Sequence, residues 1–151
     1  MSPGMTSHMR EALVLAAEAA RRGEVPIGAV VVQEGRVIGR GHNQPISASD
    51  PTAHAEIVAL RDAARTVGSY RLTGATMYVT VEPCLMCVGA MAHARVDRVV
   101  YGAPEPRTGA LASTGRAHEH PSLNHRMTVV SGVLAAECRD VLQRFFDARR
   151  P

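Results

Sequence analysis

Lysine is absent from this chain, so all 17 of its lysine-or-arginine positions are arginine. Genome composition is the plainer cause, but a planar guanidinium that forks and stacks also suits recognition of nucleic acid. Cysteine is scarce. Of the 3 cysteines, two fall in Cys84-Leu85-Met86-Cys87, leaving Cys138 unpaired, which argues against a disulfide framework. Cys138 lies in an amphipathic stretch and reads as a small core residue. No apolar run approaches the length of a membrane span. The opening Met1-Ser2-Pro3-Gly4-Met5-Thr6 lacks the basic and apolar regions of a secretory leader, so a cytoplasmic protein without a membrane partner is expected. The rest is ordinary: 151 residues, 46% of them hydrophobic, suit one domain over residues 1–151 with a proper core. A net charge of +3 is modestly favourable to an anionic partner.

Two short stretches carry the chemistry. His54-Ala55-Glu56 and Pro83-Cys84-Leu85-Met86-Cys87 together offer one imidazole and two thiolates, the three protein ligands of a catalytic zinc whose fourth position belongs to water. Glu56 is then a spare carboxylate, placed to move protons without binding the metal. Pro83 suits a first helical turn, which puts Cys84 and Cys87 one turn apart on one face. Pro51-Thr52-Ala53 precedes a second helical run and places His54 and Glu56 at its start. Two helix N-termini aimed at one spot favour negative charge there.

Each half of this pattern has a plainer reading. Cys84 and Cys87 alone resemble a thioredoxin-type redox pair, and His54-x-Glu56 alone signals nothing. A redox motif has no use for the second half, whereas a zinc hydrolase needs both. A structural zinc would want a fourth ligand, such as Cys138 or another histidine.

Along the chain, Met9–Arg22 reads as an amphipathic helix with Thr6 or Ser7 as N-cap. Ile27–Val32 and Arg36–Gly39 read as strands joined at Glu34-Gly35, and their glycines suggest close backbone approach, substrate included. After a polar loop from His42 to Ala53 come a helix over His54–Arg65, with Ile57, Leu60 and Ala64 inward, and a strand over Thr76–Val81. The second motif opens a helix continuing to Ala92, and Asp97–Gly102 is another strand. Ala103–Leu123 is a long irregular stretch, of the kind that is usually functional. Met127–Ser131 is a last strand, and Leu134–Arg149 a helix. Phe145 is expected in the core; Phe146, Arg149 and Arg150 suit stacking on a base and gripping phosphate. Strands alternating with helices make a layered α/β domain.

His-x-Glu followed by Pro-Cys-x-x-Cys is the signature of zinc-dependent nucleobase deaminases. With Glu24-Val25-Pro26-Ile27-Gly28-Ala29-Val30, Asn43-Gln44-Pro45, Asp50-Pro51-Thr52-Ala53 and Asn124-His125, the chain resembles the bacterial tRNA-specific adenosine deaminase family from about Met9 to Arg150. The resemblance implies a cytidine deaminase-like three-layer α/β/α sandwich around a five-stranded mixed sheet, one zinc per chain, and a homodimer using the Val88–Ala92 part of the second motif helix. It implies hydrolytic deamination of the wobble adenosine in the anticodon loop of an arginine tRNA. It also implies that Asn43 contacts the target base and Ile27 packs against it, with Glu105 and Arg107 touching sugar and phosphate. Ala55, Glu82, Pro83 and Asn124 complete the implied substrate-binding set. Two departures stand out: Glu105 replaces an aspartate, and Ser113-Thr114-Gly115-Arg116 replaces Ser-Leu-x-Asp. The same fold acting on a free nucleobase or nucleoside, and a non-catalytic zinc-containing RNA-binding subunit, are the alternatives.

Overall fold

The computed structural model describes residues 3–150; Met1 and Ser2 of the opening stretch, and Pro151, lie outside them. The elements run α1 (Pro3–Arg21), β1 (Gly28–Gln33), β2 (Arg36–His42), α2 (Ala55–Val67), β3 (Thr76–Val81), α3 (Leu85–His93), β4 (Arg98–Ala103), β5 (Thr128–Val130) and α4 (Ala135–Asp147). The five strands form one sheet in the order β2-β1-β3-β4-β5. Strand β1 pairs antiparallel with β2 and β3, while β3, β4 and β5 run parallel, so the sheet is mixed as expected.

Both faces of this sheet are covered, which is why β1 is apolar from Gly28 to Val32 rather than alternating with polar residues. Ala29 and Val31 join Ile57, Leu60 and Met91 in one core, under α2 and α3. Val30 and Val32 join Met9, Ala12 and Cys138 in the other, under α1 and α4. The three layers are therefore α1/α4, sheet, and α2/α3. Among the described residues, no helix is long and apolar enough to cross a membrane.

Several expectations need correction. Helix α1 starts six residues earlier than Met9, at Pro3, so Thr6 and Ser7 lie inside it and cap nothing. On α2 the buried alanines are Ala55, Ala59 and Ala63, with Ala64 only partly covered, because the inward stripe continues from Leu60 to the residue three further on. Pro83 precedes Cys84, the N-cap of α3, and so sits outside the first turn. The glycines do mark close backbone approach, but to helices and not to substrate: a Cβ on Gly28 would collide with the α1 backbone, and one on Gly41 with Ala55 and Ala59 of α2. The hairpin at Glu34-Gly35 is as expected, with both residues at positive φ (52° and 75°). The stretch 103–123 contains a 3-10 turn at Ala117–Glu119 and is pinned to the sheet.

Candidate active site

Strands β3 and β4 run parallel, so both deliver their C-terminal ends to one edge of the sheet, where Glu82-Pro83-Cys84 and Pro104-Glu105 emerge. His54 and Cys84 are the N-cap residues of α2 and α3, both with extended backbone (φ −71°, ψ 153° and φ −79°, ψ 173°). Neither side chain bonds back to its own helix, so imidazole and thiol are free to face each other. His54 Nδ1 lies 3.6 Å from the sulfur of Cys84 and 3.6 Å from that of Cys87. For tetrahedral zinc, bond lengths of about 2.3 Å to sulfur and about 2.05 Å to nitrogen require an N···S separation of about 3.6 Å. The donor set fits the ion in both identity and spacing. These are the three members of the metal-ligating group found among the described residues. Cys138, the fourth ligand a structural zinc would need, packs on Gly102 in the α1/α4 layer, with the sheet between it and Cys87.

The electrostatics of the site follow from its burial. Glu56, in the first turn of α2, is 3% exposed. Burial pushes its carboxyl up to about 7, and the Cys84 thiolate adds to this against opposing backbone hydrogen bonds and the His54 charge. Cys84 moves the other way, down to about 5, chiefly because Cys87 donates to it, with burial opposing and His54 helping. Cys87 is pushed upward by that same bond and by burial. The Glu56 value belongs to the metal-free site; a buried carboxyl outside the ligand set is what a proton carrier needs.

Asn43 ties the site together. Its Oδ1 accepts the Ala55 N–H at 2.8 Å, and its own N–H donates to the Ile27 carbonyl at 3.1 Å. Asn43, Ile27, Ala55, His54 and Glu56 are thus one connected group. One lone pair of the amide oxygen is taken by the start of α2, and the NH2 group is left to donate to a base edge.

Glu82 differs more sharply from expectation. Its side chain is 1% exposed, and both its oxygens are filled by backbone N–H groups of Glu105, Leu111, Ala112 and Ser113 and by the Ser113 hydroxyl. No oxygen remains for a substrate. Pro83 is buried, and its carbonyl accepts the Ala110 N–H at 2.9 Å. Asn124 is also out of place: exposed, it precedes β5, whose first residue Thr128 pairs with Arg98 at the N-terminal end of β4. That is the sheet edge opposite the metal ligands.

The remaining expected residues converge. Glu105, Arg107, Phe146, Arg149 and Arg150 line one cleft of about 650 Å3 with Pro106 and Gln143. Phe145 is buried and Phe146 is 46% exposed, dividing the pair as the sequence suggests. The Arg149 guanidinium lies 3.5 Å from the Phe145 ring centroid, steadied by a cation–π contact.

Sequence reasoning passed over Glu24. Buried at the end of the α1–β1 connection, its carboxylate accepts the Ile46 and Ser47 N–H groups (3.3 and 2.7 Å) and holds the loop that carries Asn43. The available signal was a lone acid directly before the apolar run Val25-Pro26-Ile27. Ser113 was quoted only as part of a departure from the family pattern, although it supplies two of the donors to Glu82.

The sequence profile of the cytidine and deoxycytidylate deaminase zinc-binding region matches residues 5–103. A tRNA-specific adenosine deaminase of Haemophilus influenzae is 50% identical over 143 residues, covering 94% of this chain and 83% of its own length. The chain belongs to the tRNA-specific adenosine deaminase family. Its relative from Agrobacterium fabrum is 46% identical over 145 residues (96% of this chain, 95% of the relative). A solved structure from work on A-to-I editing by tRNA:A34 deaminases at the wobble position superposes with a TM-score of 0.88 at 46% identity, covering 91% of this chain and 99% of that one. As in the deaminase family at large, the three-ligand site is a zinc site, and this member is a zinc-dependent enzyme.

Proposed function

We propose that this enzyme converts adenosine to inosine at the wobble position of a tRNA anticodon, that of an arginine tRNA, in the cytoplasm. The observation that carries the reading is the pairing of two features. One is a three-ligand metal site with an unligated, buried Glu56 beside it; the other is an arginine- and phenylalanine-lined cleft between the loop leaving β4 and the end of α4. A duplex hides the reacting carbon of adenine, so the substrate has to be a nucleotide splayed from a loop, which an anticodon provides.

When bound, zinc supplies the Lewis acidity that makes water a nucleophile near neutral pH. Glu56 takes a proton from the attacking water and hands it to the ring nitrogen beside the carbon under attack. A second transfer through the same carboxyl releases the amino group as ammonia. Asn43 presents its NH2 group to the base, Ile27 offers an apolar flank, and Ala55 and Pro83 form walls. Arg107, Arg149 and Arg150 hold phosphate while Phe146 stacks on a neighbouring base.

The test is inosine formation in an anticodon stem-loop and across total tRNA, read by sequencing. Wild type converts the wobble adenosine of an arginine tRNA, while Glu56→Gln keeps one zinc per chain and loses at least about 10²-fold in turnover. Conversion of free adenine, cytosine or guanine with no action on the stem-loop would replace this reading with that of a free-base deaminase.

We further propose that two copies pair through the exposed side of α3. Leu85 there is 69% and Met86 37% exposed, and apolar grooves flank the helix on both sides.

A further inference from the structure

We infer that Glu82 is a positioning residue for RNA docking: its side chain holds the 105–113 loop in the arrangement that presents Glu105 and Arg107 to the cleft against α4. The inference rests on the reading of that cleft as an RNA-docking surface.

Ala110 and Leu111 pack into the core beneath α2 and α3, and the loop's hydrogen bonds to the end of β3 converge on one dipeptide, Glu82-Pro83. Glu82 Oε1 accepts the Glu105 N–H at 3.1 Å and the Ser113 hydroxyl. Oε2 accepts the N–H groups of Leu111, Ala112 and Ser113 at 3.1, 2.8 and 2.9 Å. The next carbonyl along the chain, that of Pro83, accepts the Ala110 N–H. Inside the loop, Gly109 N–H donates to the Glu105 carbonyl at 2.9 Å, and the Thr114 hydroxyl donates back to the Gly109 carbonyl at 2.6 Å. Gly109 lies flat on the carboxylate, where a Cβ would collide with Glu82 Cδ. A five-donor nest closed around one carboxylate, with a glycine admitting it, is an anion site whose anion is a residue of the chain itself.

Its place in the sequence gives this clamp its consequence. The residue after Pro83 is Cys84, so the same short segment offers its sulfur to the metal and holds the docking loop on the Glu82 carboxylate. Arg107 is two residues from Glu105, whose carboxylate accepts the Arg107 N–H at 2.9 Å, and both line the cleft with Phe146, Arg149 and Arg150. Glu82 therefore sets the distance between where the base reacts and where its flanking phosphates are held. Glutamine has the same shape but presents an NH2 to one of the two donor groups, so donors buried away from water go unpaired.

The experiment compares wild type, Glu82→Gln, Ser113→Ala and Gly109→Ala for zinc content, kcat and KM on an anticodon stem-loop, and amide exchange over residues 105–113. In Glu82→Gln, zinc stays at one per chain, KM rises about ten-fold and kcat falls less than about three-fold. This is the effect of a docking loop that adopts its competent arrangement about one time in ten. Gly109→Ala, which displaces the loop with the charge intact, gives the same split, and Ser113→Ala, which removes one donor of five, gives a smaller one. Exchange of the Glu105, Leu111, Ala112 and Ser113 amides accelerates in Glu82→Gln whatever the enzyme's substrate, so this measurement stands even if wild type leaves the stem-loop untouched and the RNA reading fails. If Glu82→Gln does not fold, the other two variants decide. Unchanged amide exchange, or kcat and zinc falling together at constant KM, would overturn the inference.

Discussion

Two buried carboxyls beside the metal site are driven in opposite directions, and each carries its own pH signature. At Glu82 burial acts to raise the carboxyl, but the bonds from Ser113, Ala112 and Glu105 outweigh it and hold the group below its ordinary value. It contributes stability above the unfolded value, and that contribution is lost as pH falls through the folded one. At Glu56 nothing outweighs burial, and in the metal-free protein the folded value is about 7 against 4.5. The folded state then binds the Glu56 proton more tightly than the unfolded chain does. The stabilisation is complete below about pH 4.5 and is lost as pH rises through about 7. Metal-free Glu56→Gln is accordingly expected to be more stable than metal-free wild type at pH 8, by on the order of 3 kcal/mol. At pH 5 the gap should largely close. Thermal melts of the two chelator-treated proteins at both pH values check this, and an equal difference at both would contradict it.

At the scale of the elements, the glycine-rich β2 shows where sequence reasoning reached and where it stopped. The strand itself was legible, since Arg36-Val37-Ile38 follows a Glu34-Gly35 turn signal. What its glycines approach was not, because a bare glycine reports only the lack of a Cβ and never the neighbour that needs the room. The structure supplies that neighbour: the α2 backbone, packed so closely that Gly41 admits no side chain beside Ala55 and Ala59. Gly41→Ala is therefore expected to cost about 1–3 kcal/mol. It should also weaken zinc binding, since Ala55 follows the ligand His54; unchanged denaturant midpoint and zinc affinity would refute this. The cluster of His54, Cys84 and Cys87 with Glu56 nearby was legible because its chemistry is written in residue type and short spacing. The same holds for the division between Phe145 and Phe146, which follows from the period of an amphipathic helix. The role of Glu82 and the position of Asn124 were not legible, for the one depends on partners 23 to 31 residues away and the other on which sheet edge its loop reaches. The hidden clamp at Glu82 and the support from Glu24 to the Asn43 loop are both of this non-local kind.

At the scale of the whole molecule, the uncovered surface of α3 is the feature that calls for a second copy. Gly89 sits on that surface with nothing within 4 Å of where its Cβ would be, so a large side chain there meets no obstacle within the protomer. Sedimentation of wild type is expected to give twice 16.1 kDa. Gly89→Arg is expected to give the single-chain mass, with zinc retained. A wild type that sediments as one chain at micromolar concentration would rule the pairing out.

The placement of His54 and Cys84 as caps of two different helices has one more consequence. An ion held between them ties together chain segments 30 residues apart, much as a cross-link would. Because α2 and α3 share a layer, this strap lies wholly on one side of the sheet, and the α1/α4 side owes its cohesion chiefly to apolar packing. The molecule is thus built asymmetrically, with one flank fastened by coordination and the other by the exclusion of water.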